Sequence, residues 1–296
     1  MTSLQDKDSF LDYRKHQESE HFAKVDLTDP LSSILTVEIN TTELCNRTCV
    51  FCPRHDPAVY PNRNLNMNMN GAHAIALHLQ NIKYKGKISF SGYSENLLNP
   101  HFMDVVQAFR YGVPDATLEC NTNGDQLTSL VVKKLYNAGL DFLYINLYDG
   151  LHQQLHFDTI MQDVDPAKWS YRAHWSLDDY GLHLNNRGGN IDWLGDDEAD
   201  VKELEGTPCY YPFYKLFVDW NGDVLFCSND WGKEIVVGNL IQQSVKEVWL
   251  SKQMKKIRRR LEKGDRSKSP CNKCSVKGNL FGQKSAELLN NEGSVQ

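Results

Sequence analysis

The residues with the most chemistry to offer in this chain are its eight cysteines, and their spacing is uneven. Cys45, Cys49 and Cys52 form a tight triad, Cys120 stands alone, and Cys209, Cys227, Cys271 and Cys274 form a late quartet. Thiolates ligate iron–sulfur clusters, and four normally complete a cubane. Three thiolates on one short loop, in a C-x3-C-x2-C arrangement, can hold three irons and leave the fourth open to an exogenous ligand, as an open catalytic metal site does. The quartet supplies four donors and leaves no open position, so a cluster there carries electrons rather than binding substrate. Zinc is the rival reading of both groups. It is disfavoured for the triad, because zinc sites take four ligands in paired spacing, whereas the ligand set alone does not exclude it for the quartet. Disulfides are disfavoured in a chain of this size with no secretory signal.

These cysteines need elements to position them. Leu35, Val37 and Ile39 alternate with Thr36, Glu38 and Asn40, which predicts a strand with the triad in the loop after it. Strand patterns over 87–90, 116–120 and 141–147 alternate with helix patterns over 71–82, 100–111 and 127–139. The segment 151–175 is ambiguous, and Leu182 and Leu184 suggest a further strand before Asn185-Asn186-Arg187-Gly188-Gly189. Alternating units of this length imply a parallel sheet or partial barrel. The acidic stretch 192–205 reads as a linker. Residues 215–220 and 223–227 flank Asn221-Gly222, a hairpin signal. A single long helix is expected over 244–263, capped by Ser244 and ended by Gly264. Residues 1–33 are polar and read as a short helix or extension, and 277–296 as a loose polar tail. The expected division is thus an extension (1–33), a core (34–190), a linker with a cysteine-bearing module (191–276) and the tail.

The triad, directly after a first strand and with aromatic Phe51 before its last cysteine, resembles the signature of the radical S-adenosylmethionine (radical SAM) superfamily. The resemblance implies an α/β fold: a partial (β/α)6 TIM-like barrel, open on one side, with a small C-terminal β-hairpin/helix iron–sulfur module. It implies a 4Fe–4S cluster on Cys45, Cys49 and Cys52 whose open iron chelates the amino and carboxylate groups of SAM. One electron then splits SAM into methionine and a 5′-deoxyadenosyl radical, which takes a hydrogen atom from the substrate. Further family motifs supply the expected SAM contacts. Ser91-Gly92-Tyr93-Ser94-Glu95 resembles the GGE motif, with Gly92 allowing close backbone approach and Glu95 or the adjacent backbone holding the SAM amino group. Tyr93 and Ser94 depart from its double-glycine form. Thr122, Asn123 and Gly124 resemble the T-N-G element, Asn146 falls where the family places a residue on the ribose, and Arg187 suits the SAM carboxylate because its fork matches one. The Phe51 backbone would meet the adenine. For each of these residues the alternative is a satisfied turn or surface position.

The quartet resembles the C-terminal SPASM/twitch modules of radical SAM enzymes, which pair a G-x4-C hairpin with a later C-x2-C. Full SPASM modules carry more cysteines, so the four here imply one auxiliary 4Fe–4S cluster of twitch type. The spacing is similar to that of radical SAM members that dehydrogenate aminocyclitols, with aminoglycoside epimerases a related comparison. Together the two matches cover 34–276.

The implied activity is a dehydrogenase acting on a small sugar-like or aminocyclitol-like substrate, with the auxiliary cluster accepting the electron of the substrate radical. The alternatives are an epimerase using Cys120 or a tyrosine as hydrogen donor, and a non-enzymatic metal-binding scaffold. Cys120 ends the third predicted strand, where it either faces the barrel interior or, as free cysteines more often do, sits in the core. Arg54-His55 beside the triad read as substrate contact or loop packing. Expected partners are the small molecule and an electron donor such as flavodoxin or ferredoxin. Peptide substrates are disfavoured, because many peptide-modifying relatives carry a separate leader-binding domain and only 33 residues precede the first strand. A net charge of −6 gives the whole chain no bias toward nucleic acid, and the run Lys255-Lys256-Ile257-Arg258-Arg259-Arg260, with Glu247 and Glu262 nearby, reads as a solvated helix face. With no run of about 20 apolar residues and no signal h-region, the expected location is cytoplasmic and off the membrane. Walker and Rossmann fingerprints are absent from the sequence.

Overall fold

The computed structural model describes residues 11–174, 185–191 and 201–290. The strand suggested at Leu182 and Leu184 and most of the acidic stretch lie outside them.

Eight strands form one sheet in the order β5-β4-β3-β2-β1-β6-β7-β8. They are β1 (Thr36–Ile39), β2 (Lys87–Phe90), β3 (Thr117–Thr122), β4 (Phe142–Leu147), β5 (Trp169–Ala173), β6 (Lys215–Val218), β7 (Asp223–Leu225) and β8 (Val236–Asn239). β1 to β6 pair in parallel, and β7 and β8 add antiparallel. Parallel neighbours require crossovers, which α2 (Met69–Asn81), α3 (Phe102–Gly112), α4 (Ser129–Asn137) and α5 (His152–Met161) supply. The ambiguous segment therefore resolves into α5 and β5. The sheet is open, ending at β5 and β8 among the described residues.

The period of two along each strand separates two environments. Val37, Ile39, Ile88, Phe90, Leu118, Leu143 and Ile145 turn outward and pack against Ile75, Leu79, Val105, Phe109 and Leu135 of the helices. Each such side chain contributes about 1.5–3 kcal/mol when fully buried. The alternate positions, Glu38, Ser89, Glu119, Asn121, Tyr144, Asn146 and Arg172, line an internal cavity. Helix α1 (Leu11–Phe22) reaches this cavity near the strand starts, where Gln17 Oε1 accepts a 3.0 Å bond from Lys87 Nζ.

Three expectations change. The hairpin assigned to the C-terminal module is continuous with the core sheet, because β6 pairs with β1 from Thr36↔Lys215 to Ile39↔Val218. After a short helix α6 (Tyr211–Tyr214), the long helix expected over 244–263 is two: α7 (Val245–Trp249) and α8 (Lys252–Glu262). Two serines each start a helix. Ser244 forms a reciprocal capping box with Glu247, and Ser251 Oγ accepts from Met254 N at 3.1 Å. Arg258 Nη1 donates to Trp249 O at 2.6 Å, satisfying a carbonyl at the break. Finally, the tail is not loose throughout: α9 (Gln283–Asn290) buries Ala286, and Ser285 Oγ donates to Ser33 O at 3.0 Å. No helix among the described residues is long and apolar enough to cross a membrane.

Candidate active site

Cys45, Cys49 and Cys52 follow β1 and line a cavity of about 430 Å³. Asn62 clips the start of their loop: Cys45 N donates to its Oδ1 at 2.9 Å, and its Nδ2 donates to Cys45 O at 3.0 Å. Arg47 fixes the middle. Its Nε and Nη2 fork onto Asp125 at 2.7 and 2.6 Å, and its Nη1 and Nη2 reach Asp149 at 2.9 and 2.8 Å. The guanidinium also lies 5.1 Å from the Tyr148 ring centre. The cysteine loop is thereby tied to the loops that follow β3 and β4. The motif gives no hint of Arg47, because its partners are 78 and 102 residues away.

Burial, reinforced by the other two thiols, pushes Cys49 up to about 12, and burial also raises Cys45 and Cys52. Thiols raised in this way hold their protons until iron displaces them. No fourth cysteine lines this cavity among the described residues. The donor set fits a cluster with one open iron.

The predicted SAM contacts converge on the same end of the cavity. Phe51 stacks on Tyr148 and His174, with centroids 5.8 and 5.5 Å apart. Gly92 has φ +122°, and an added Cβ would lie 3.1 Å from Phe217, so both backbone and space require glycine. Ser94 Oγ donates to Asn40 Oδ1 at 2.6 Å. Tyr93 is buried and its hydroxyl donates to Asp230 O at 3.0 Å, so its side chain ties the core to the segment after Cys227. The Glu95 carboxylate accepts from Thr122 Oγ1 at 2.8 Å, Asn123 N at 2.7 Å and Leu97 N at 3.0 Å. It therefore organises the β3 loop as well as facing the cavity. Asn123 Nδ2 in turn bonds Asn46 Oδ1 at 2.9 Å. Asn146 donates to Thr122 O at 2.9 Å and meets His174 Nε2 at 3.0 Å. Arg187 borders the cavity in a left-handed conformation, φ +50°. Arg54 is buried with Nε donating to Tyr93 O, which favours the loop-packing reading.

Sequence reasoning missed the deeper polar lining. Glu38 pairs with Lys215 at 2.7 Å and accepts from Ser91 Oγ at 3.0 Å. Glu119 pairs with Lys87 at 3.3 Å and accepts from Ser89 Oγ at 2.9 Å. Tyr13 of α1 meets Tyr144 edge-on at 6.4 Å. The signal was present: Glu38, Ser89, Glu119 and Asn121 are polar residues at alternate positions of parallel strands, which are usually apolar on both faces. His174 went unnoticed for want of a motif. Burial, with Arg172 and Arg187 nearby, pulls it down to about 3.

Cys120 corrects the hydrogen-donor expectation. Its ladder neighbours are Phe90 and Leu143, and it is fully buried in the apolar core between sheet and helices. Glu119 and Asn121 on either side face the cavity, so the strand period turns Cys120 away from it.

Cys209, Cys227, Cys271 and Cys274 line a second, separate pocket. Asn229 N points to Cys227 Sγ at 3.4 Å, and Arg260 Nη2 to Cys271 Sγ at 3.8 Å. A Cβ at Gly278 would fall 2.2 Å from Cys209 Sγ, so glycine is needed to leave that thiol its place. Among the described residues no three His, Cys, Asp or Glu side chains converge on a single-ion position.

Comparison with known proteins agrees with this geometry. Residues 39–175 match the radical SAM superfamily model, and 209–275 match SPASM, described as an iron–sulfur cluster-binding domain. The chain is 28% identical over 264 residues to the S-adenosyl-L-methionine-dependent 2-deoxy-scyllo-inosamine dehydrogenase of Niallia circulans, covering 84% of this chain and 96% of that one. It resembles the crystal structure of BtrN in complex with AdoMet and 2-DOIA, with a TM-score of 0.72, 25% identity, and coverage of 85% of this chain and 96% of that one. The open conformation of BtrN gives a TM-score of 0.62 at 21% identity, covering 82% and 92%, a likeness of fold. The chain thus carries a radical SAM domain over residues 39–175 and a C-terminal SPASM iron–sulfur cluster-binding domain over 209–275.

Proposed function

We propose that the protein is a dehydrogenase of a small, polyhydroxylated, amine-bearing ring, an aminocyclitol or close relative, and that it works in the cytoplasm. The observation that carries this reading is the polar cavity interior, which runs from the cysteine triad to Tyr13 and includes the pairs Glu38–Lys215 and Glu119–Lys87 with the hydroxyls of Ser91 and Ser89 beside them. Cys45, Cys49 and Cys52 would hold the SAM-binding cluster, and Cys209, Cys227, Cys271 and Cys274 one auxiliary cluster of twitch type. When bound, these groups supply hydrogen-atom abstraction through SAM and a one-electron sink.

The chain's own residues do the rest. Phe51, Tyr148 and His174 form a stacked wall that excludes water beside the triad and bounds the adenine. Arg187 pairs the SAM carboxylate, Asn146 takes the ribose, and Gly92, Tyr93, Ser94 and Glu95 border the amino group, with Thr122 and Asn123 holding Glu95 in place. Glu38 and Glu119 bind an ammonium or hydroxyl, and their carboxylate oxygens are the acceptors for the hydroxyl proton released on oxidation. An epimerase would need another hydrogen donor, since Cys120 lies in the core.

The test is anaerobic turnover of deuterated 2-deoxy-scyllo-inosamine and related aminocyclitols by reconstituted protein. Deuterium transferred into 5′-deoxyadenosine, together with a ketone product, is the expected result. Absence of 5′-deoxyadenosine under reducing conditions removes the enzymatic reading, and an inverted alcohol in place of a ketone removes the dehydrogenase.

A further inference from the structure

We infer that the face built by α8 and the turn after it is the docking surface for a small acidic one-electron carrier protein of the ferredoxin or flavodoxin class. The carrier takes away the electron that the auxiliary cluster receives. This rests on the reading of the four late cysteines as ligands of an electron-carrying cluster.

Charge is segregated along this chain. Residues 252–277 hold eleven Lys and Arg against Glu262 and Asp265, a local charge of +9 in a chain whose net charge is −6. Everything outside the segment therefore carries −15. Met254, Arg258 and Leu261 form the buried side of α8, while Lys252, Lys256, Arg259, Lys263, Lys268 and Lys273 are exposed. None of these six is in an ion pair among the described residues. The two glutamates that could neutralise a solvated helix face are engaged elsewhere. Glu247 closes the capping box with Ser244, and Glu262 accepts from Asn290 Nδ2 at 2.5 Å.

The patch adjoins the quartet. Arg260, in the same helix, points Nη2 at Cys271 Sγ, 3.8 Å away. Lys273 stands between Cys271 and Cys274, and Lys268 O accepts from Asn272 N at 3.1 Å. A partner seated on these cations is therefore beside the auxiliary thiols. An acidic carrier is attracted here and repelled by the rest of the molecule, which steers encounter to this face. Nucleic acid fits less well. The segment has no Phe, Tyr or Trp for base stacking, and the remaining −15 opposes a phosphate backbone.

The electron count gives such a partner a task. Oxidising CH–OH to C=O removes two hydrogens. One leaves as an atom to 5′-deoxyadenosine, and the other as a proton to a cavity carboxylate and an electron to the auxiliary cluster. Cleaving SAM consumes one electron at the triad's cluster, so a carrier on this face would be reduced by the auxiliary cluster and could return that electron for the next cleavage, leaving each turnover electron-neutral.

The experiment measures binding of an oxidised acidic flavodoxin to the holoprotein by calorimetry at increasing NaCl. The comparison is between wild type, the triple variant Lys256→Glu/Arg259→Glu/Lys263→Glu, and a control, Lys133→Glu/Lys134→Glu, on α4. Wild-type affinity should fall with salt, and the triple variant should lose at least about tenfold while the control does not. Iron content and dithionite-driven 5′-deoxyadenosine formation should be unchanged in the triple variant. Equal affinity of triple variant and wild type, an equal loss in the control, or tighter binding of a single-stranded RNA than of flavodoxin overturns the surface. Wild-type protein reconstituting to about four irons per chain rather than about eight removes the auxiliary cluster, and the carrier's role with it, whatever the binding shows.

Discussion

Replacing Arg47 with alanine should loosen the cysteine triad and leave the quartet untouched. Hydrogen bonds to charged groups contribute about 1.5–3 kcal/mol when sheltered, and exposed ion pairs about 0–1 kcal/mol. The Asp125 side chain is 25% exposed and that of Asp149 50%. The Asp125 fork is therefore worth about 2 kcal/mol and the Asp149 fork about 0.5 kcal/mol, after discounting for solvent. A loss of about 2.5 kcal/mol in loop order corresponds to roughly 70-fold in the equilibrium for holding iron on the triad. The assay is anaerobic reconstitution followed by challenge with a chelator, with iron and sulfide release followed in time and the SAM-dependent change in the reduced-cluster EPR signal recorded. Arg47→Ala should release the triad's iron far faster while the auxiliary iron stays. Arg47→Lys should fall between, since it keeps the charge and loses both forks. Wild-type release from Arg47→Ala would show that the clamp does not hold the loop, and equal loss from both sites would show a general folding defect.

The pH dependence follows from His174. Its folded value is pulled down to about 3 from 6.5, so between those values the unfolded chain binds a proton that the native ring refuses. Stability should fall as pH drops through that window, by up to about 1.4 kcal/mol per pH unit, and His174→Phe should lack this component when denaturant midpoints are compared from pH 7 to 5. Parallel curves for the two proteins would refute it. Cys120→Ala should cost about 1 kcal/mol of stability, the loss of a small core group, and leave 5′-deoxyadenosine and product formation intact. Loss of product without loss of folding would return Cys120 to the reaction. Gly92→Ala should lower the unfolding free energy by about 1–3 kcal/mol in denaturant titration, because it puts a Cβ on a φ of +122° backbone against Phe217. Tyr13→Ala should raise KM for the aminocyclitol with iron content unchanged, and an unaltered KM would remove α1 from the substrate floor.

Individual residues show what sequence reading could and could not reach. Cys45, Cys49 and Cys52 sit on one loop, and thiolate chemistry with a three-donor count suffices to name a cluster with an open iron. β2 is predicted residue for residue, because Lys87–Phe90 alternates cleanly. The helix over 244–263 is misread, because apolar periodicity continues through a break that only Ser251's capping bond and Arg258's reach to Trp249 make visible. The hairpin is found, but not its parallel pairing with β1, since register between segments about 180 residues apart leaves no local trace. In the same way the cavity's carboxylate–cation pairs, Glu38–Lys215 and Glu119–Lys87, join distant strands.

The sequence by itself offered the candidate donors, three clustered thiols and four late ones, and the strand–helix alternation that carries them. These depend on residue type and short spacing alone. Tertiary structure decided which way each side chain faces. It turned Cys120 into the core, gathered Glu38, Glu119 and Tyr13 around one cavity, and set Arg47 between two aspartates. Such contacts exist only once the sheet has closed segments together that the chain holds far apart.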